Sequence, residues 1–105
     1  MHPLDAAFDE TVALHRSGQV AAALERYRQL INADANYAKA WHLLGVCYHQ
    51  QGQQELALQC IARAISLVDS NPVYYSNAGL VLRTLGRHLD AANVLRRAID
   101  LDPNF

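Results

Sequence analysis

Apolar positions recur along this chain with helical spacing, in stretches that alternate with isolated glycines. Trp41, Leu44, Cys47 and Tyr48 form an i, i+3, i+6, i+7 stripe ahead of Gly52. Beyond that glycine come Ala57, Leu58, Ile61, Ala64, Ile65 and Val68, a second face of period 3.6. The same arrangement flanks Gly18 and Gly86. The pattern predicts helices over 4–17, 20–33, 38–51, 54–67, 72–85 and 88–101, each pair joined by a turn at glycine, whose missing Cβ lets the chain reverse. Asn71-Pro72 reads as a helix entry, because proline in the first turn sacrifices no intrahelical hydrogen bond. Asp102-Pro103 stops the last helix or opens another. Strand signals are absent, so the expectation is an all-α array of helical hairpins.

The hairpins repeat. Gly18, Gly52 and Gly86 are 34 residues apart, as are Ala23, Ala57 and Ala91, and Leu14, Tyr48 and Leu82. Three columns in one register divide a single domain, 1–105, into units 4–37, 38–71 and 72–105, leaving Met1–Pro3 over.

At these columns the chain resembles the tetratricopeptide repeat family. Unit 2 supplies Trp41, Leu44, Gly45, Tyr48, Ala57, Ile61 and Ala64; unit 3 supplies Tyr75, Ala78, Gly79, Leu82, Ala91, Leu95, Ala98 and Pro103. Unit 1 is degenerate: Leu14, Ala23, Tyr27 and Leu30 fit, while Ala7, Glu10 and Thr11 replace the Trp, Leu and Gly. That loss suits a terminal repeat with no preceding neighbour to pack against. The resemblance implies an α-solenoid of three antiparallel hairpins forming a right-handed superhelix. The runs Trp41–Gln54 and Tyr75–Arg87, with the ending Ala98–Phe105, also look like the N-terminal repeats of long bacterial proteins. Those proteins continue into a catalytic domain similar to O-linked N-acetylglucosamine transferase. In that group an Asn precedes the Leu-Gly of the first helix; here Asn77 holds that column, with Asp9 and Leu43 in the other units.

In this family the first helix of each pair lines the concave side. The columns expected there are Asp5, Lys39 and Val73; Phe8, His42 and Ser76; Asp9, Leu43 and Asn77; Val12, Val46 and Leu80; and His15, His49 and Arg83. They imply a groove with an apolar strip along its middle and a weakly basic margin. A peptide with one or two apolar anchors and an acidic residue is complementary to it. In the plainer reading, Val12, Val46 and Leu80 support neighbouring helices and the histidines form a solvated edge. Some relatives clamp two carboxylates with Lys, Asn, Asn, Lys and Arg. The matching positions here are Phe8, Val12, Leu43, Val73 and Asn77, none of them cationic, so that mechanism is not expected.

Metal and catalytic chemistry find no foothold. His42 and His49 are seven residues apart, about 10 Å along a helix and too far to share an ion. His15 with His49 from the next unit is the closer pair, but two histidines fall short of a zinc set. Cys47 and Cys60 lack a CxxC spacing and read as buried small hydrophobes. The glycines are isolated, no serine has a partner histidine in motif context, and no cofactor is expected.

Composition narrows the partners. Nine Lys+Arg stand against ten Asp+Glu, a net charge of −1, without the basic stripe of a nucleic-acid binder. No apolar run approaches the ~20 residues of a membrane span. Met1-His2-Pro3-Leu4-Asp5 has neither the basic nor the apolar region of a secretory signal, so a cytoplasmic chain with reduced thiols is expected. The last helix carries Ala91, Val94, Leu95, Ala98, Ile99 and Leu101 around much of its circumference, more than one hairpin partner covers, as expected of a fragment cut from a longer array or of a chain whose C-terminal face another copy covers. The chain is therefore read as a non-catalytic scaffold for a peptide or protein partner, self-associating through helix 88–101. The alternative is an N-terminal substrate-recruiting or oligomerisation module of a larger glycosyltransferase-like protein.

Overall fold

The computed structural model describes residues 1–104; Phe105, which closes the third unit, lies outside the described residues. Six helices follow in order: α1 (Asp5–Arg16), α2 (Val20–Ala33), α3 (Ala38–Gln50), α4 (Gln54–Leu67), α5 (Pro72–Thr84) and α6 (His88–Leu101). Every boundary falls within one residue of the span that periodicity predicts, and no strand occurs among the described residues.

The turn inside each hairpin is built the same way three times. Gly18, Gly52 and Gly86 have φ of +91°, +80° and +79°, the left-handed region that a side chain disfavours. The next residue then donates back over the helix end: Gln19 to the Leu14 carbonyl, Gln53 to Tyr48 and Arg87 to Leu82, at 3.3, 2.9 and 2.9 Å. This closure satisfies carbonyls that a helix end otherwise leaves open. After each hairpin the chain is extended, at Asp34, Val68 and Asp102. The Asn71 side chain caps α5 by accepting from the Val73 amide at 2.9 Å, with Pro72 in the first turn.

Each helix packs on the next in sequence, and α3 also touches α5. Helices α3 and α5, the first helices of units 2 and 3, thus meet across the second hairpin boundary. Helix α3 lies between α2 and α4, burying Ala40, Leu44 and Cys47 against Leu24, Tyr27 and Leu30. Ala78 and Val81 of α5 meet Ala57 and Ile61 of α4 in the same columns. Close approach within the hairpins needs glycine. A Cβ on Gly45 would meet Ile61 Cγ1 at 2.6 Å and the Ala57 carbonyl at 2.9 Å. Unit 1 is looser at this column, where Thr11 is buried and its hydroxyl donates to the Ala7 carbonyl at 2.8 Å.

Candidate functional site

Helices α1, α3 and α5 carry the candidate groove residues. Phe8, Val12 and Leu43 come together in one pocket of about 450 Å³, completed by Asp9, Ala13 and Arg16. The Phe8 ring meets Tyr37 edge-on at 5.6 Å, and Lys39 Nζ lies 5.8 Å from its centroid. That lysine is also 3.8 Å from Asp5, which accepts a hydrogen bond from the Tyr37 hydroxyl. The Tyr37 bond, followed by the His2 backbone amide, holds the Asp5 carboxyl below its usual range.

Val46 is half-buried, and Val73 and Leu80 are 40% and 42% exposed, so the apolar strip continues along α3 and α5. These three do not line the pocket that holds Phe8, Val12 and Leu43. Arg16 and Arg83 are exposed, and neither forms an ion pair among the described residues. Ala13 and Arg16 are the pocket residues that column reasoning did not single out, and Arg16 is the charged one. Its equivalents are Gln50 and Thr84, so no shared chemistry marks that column; its place beside His15 at the end of α1 was the one available signal.

The histidines correct the expectation of a solvated edge. His42 is 7% exposed, stacked on Tyr74 with centroids 4.6 Å apart. Asn77 Nδ2 donates to His42 Nε2 at 2.7 Å, tying unit 3 to unit 2. A neutral ring is needed to accept that bond, and burial lowers the imidazole pKa to about 4. His15 does not turn to His49. Its Nδ1 meets the Tyr27 hydroxyl at 3.1 Å and its Nε2 meets Gln50 Oε1 at 2.6 Å, while His49 Nδ1 reaches Gln54 Oε1 at 2.6 Å. With both His15 nitrogens engaged, the candidate metal pair is not assembled. Asn77, the sole polar residue at the two-carboxylate clamp positions, is likewise committed to His42.

Sequence reasoning also missed a thiol–imidazole contact, Cys47 Sγ to His15 Nε2 at 3.7 Å. Such pairs activate nucleophiles when the thiolate is accessible. Here Cys47 is fully buried and burial pushes its thiol up to about 12; Cys60, also buried, is pushed up to about 11. Both behave as packing residues.

Tetratricopeptide repeat family models match residues 13–52, 38–71 and 73–105. Over 92 residues the chain is 28% identical to an Arabidopsis thaliana protein named "Probable UDP-N-acetylglucosamine--peptide N-acetylglucosaminyltransferase SPINDLY". That alignment takes in 88% of this chain and 10% of the relative, so the chain spans about a tenth of the length of such proteins. Among solved structures, it superposes on the Yersinia enterocolitica type III secretion chaperone SycD in complex with a peptide of the translocator YopD. The TM-score is 0.90 and the identity 22%, covering 96% of this chain and 77% of SycD. It also matches the second repeat domain of Spaghetti (RPAP3) bound to the HSP90 peptide SRMEEVD, at TM-score 0.86 and 22% identity, covering 90% and 87%. At those identities the structural matches establish the helical-repeat fold.

Proposed function

This chain belongs to the tetratricopeptide repeat family, with three repeats, and from that premise we propose that it is a non-catalytic scaffold whose first-helix face binds a peptide. The observation that carries this reading is the pocket of Phe8, Val12 and Leu43 beside Arg16, which forms no ion pair among the described residues. Apolar walls take an aliphatic or aromatic anchor, and the guanidinium takes an acidic residue next to it. Exposed Val73 and Leu80 extend the same side toward Arg83, leaving room for a second anchor. The SycD and Spaghetti structures each hold a peptide, which supports the mode and not the ligand. A C-terminal carboxylate held by a two-lysine clamp is not the expected ligand, since no cation stands at those positions. The buried free thiols are consistent with a reducing, cytoplasmic setting.

Selection from a random peptide display library tests the reading. Enriched ligands are expected to combine apolar anchors with Asp or Glu, and to lose binding on Arg16→Glu or Val46→Ser with helicity unchanged. Ligands that survive both substitutions, or map to α2, α4 and α6, refute it.

Similarity to the SPINDLY repeats favours a second reading, a recruiting arm of a larger glycosyltransferase-like protein. It predicts a reading frame that continues into a nucleotide-sugar-binding α/β domain, and sequencing the transcript decides it. We infer that α6 mediates self-association, because Ile99 is 54% exposed where Ile31 and Ile65 of the earlier repeats are half-buried; a further repeat of the same chain is the alternative cover.

A further inference from the structure

We propose that the cavity lined by α2, α3 and α4 binds a small carboxylic acid carrying an apolar ring or chain. The proposal does not rest on the peptide reading of the first-helix face, with whose pocket this cavity shares no residue. On α3, Leu43 lines the pocket of Phe8. Trp41, Leu44 and Tyr48, roughly 100–160° around the same helix, line this one.

The cavity measures about 310 Å³, at the lower end of small-molecule sites, which combine apolar walls with a few placed polar groups. Ile31, Trp41, Leu44 and Leu56 supply apolar wall. The Trp41 indole N–H donates to the Ala35 carbonyl at 2.8 Å, so its ring offers this cavity apolar surface rather than a donor. Leu44 and Cys60 are buried while Leu56 is 40% exposed, so the lining runs from the core out to solvent. The polar groups come from α2, where Arg28 and Asn32, both exposed, lie four residues apart on one face.

Charge selects the ligand. Arg28 is the one charged residue in the lining, and no carboxylate shares it. Its ion pair with Glu25 is 3.8 Å long between side chains more than half exposed, a contact worth little in water. A ligand carboxylate can therefore take the guanidinium with two parallel hydrogen bonds, and the Asn32 amide can donate alongside. One period on, the columns change: Ala62 replaces Arg28, Ser66 replaces Asn32 and Asp90 replaces Leu56. Asp90 is held by Arg87 at 2.9 Å. An extended peptide with one side chain in the first cavity would meet a carboxylate instead of a second anchor at the next boundary. The occupant that fits is one small molecule, its carboxylate at Arg28 and its apolar part against Trp41 and Leu56. Such a ligand fastens α2 to α4, and so unit 1 to unit 2.

Trp41 is the chain's one tryptophan, so its indole N–H resonance is an unambiguous NMR reporter. Hydrocinnamate and isocaproate serve as probes, each expected to shift that resonance saturably with a Kd of about a millimolar. Hydrocinnamide, which lacks the charge, should bind about tenfold more weakly than hydrocinnamate. Arg28→Gln should cost hydrocinnamate the same factor and the amide nothing. Leu56→Asp, which copies the unit 3 column, should abolish saturation, whereas Arg26→Gln, on α2 but outside the lining, should change nothing. All three substituted positions are exposed, and circular dichroism checks that each variant keeps its fold. The site is overturned if neither acid gives a saturable shift, if acid and amide bind equally, or if Leu56→Asp binds like the parent. Equal losses in Arg26→Gln and Arg28→Gln overturn it too, since the attraction would then be diffuse. A capped phenylalanyl-glutamate dipeptide that binds about tenfold more tightly than hydrocinnamate would overturn the small-molecule assignment in favour of a peptide side chain.

Discussion

Alanine at the two glycines inside α3 and α5 separates close packing from helix propensity. Gly45 and Gly79 hold the same column, and neither has a positive φ. Alanine stabilises a helix interior by about 0.8–1 kcal/mol relative to glycine, so both substitutions begin with that gain. At Gly45 the new methyl lies 2.6 Å from Ile61 Cγ1, 2.9 Å from the Ala57 carbonyl oxygen and 3.3 Å from Cys60 Cβ. Ile61 is fully buried and the carbonyl belongs to the α4 backbone, so relief requires α3 and α4 to part. Overpacking of that kind costs about 1–3 kcal/mol, and a contact with backbone belongs at the upper end. A net loss of about 1–2 kcal/mol is expected for Gly45→Ala. At Gly79 the nearest atoms to the methyl all belong to the Leu95 side chain, whose Cγ and Cδ2 are both 2.6 Å away. Leu95 is half-buried on the open side of the last hairpin and can rotate outward, so Gly79→Ala should stay within about 0.5 kcal/mol of the parent. Urea unfolding followed by circular dichroism reads both variants. For a domain this size, about 1 kcal/mol moves Tm by roughly 4–8 °C, which a thermal scan resolves. If Gly45→Ala is as stable as Gly79→Ala, the helix approach does not control the column and the reasoning is wrong.

Three other outcomes follow from the same geometry. His42 has a folded pKa of about 4 against 6.5 for the free side chain, so protons bind the unfolded chain more readily across that interval. Stability should be complete above pH 6.5 and fall toward pH 4, by up to roughly 3 kcal/mol, less if Asn77 turns its carbonyl to the ring. A His42→Gln variant whose stability falls equally over that range would place the proton elsewhere. Both thiols should resist a disulfide reagent in the native state and react together on unfolding; rapid native labelling of Cys47 or Cys60 would contradict their burial. Gly52→Ala has open space around it but φ +80°, so it should cost about 1 kcal/mol in the unfolding assay while Gly52→Asn costs less.

The repeat period, the six helices and the hairpin turns were determined by the sequence alone. Each rests on chemistry local to one helix or turn: a 3.6-residue apolar face, a glycine where φ must be positive, a proline where no amide is needed. Column reasoning also chose the helices that carry the pocket, and Phe8, Val12 and Leu43 meet there. It did not distinguish neighbours within a column. His15, His49 and their equivalents look alike along the chain, yet His15 engages Tyr27 and Gln50 while His49 turns to Gln54. His42 reads as a groove residue until Tyr74 and Asn77 arrive from the next repeat and enclose it. Periodicity decides which side of a helix is apolar. Which side chains share a cavity, lose their water or face an opposite charge depends on how one hairpin is placed on the next, and only the tertiary structure decided that.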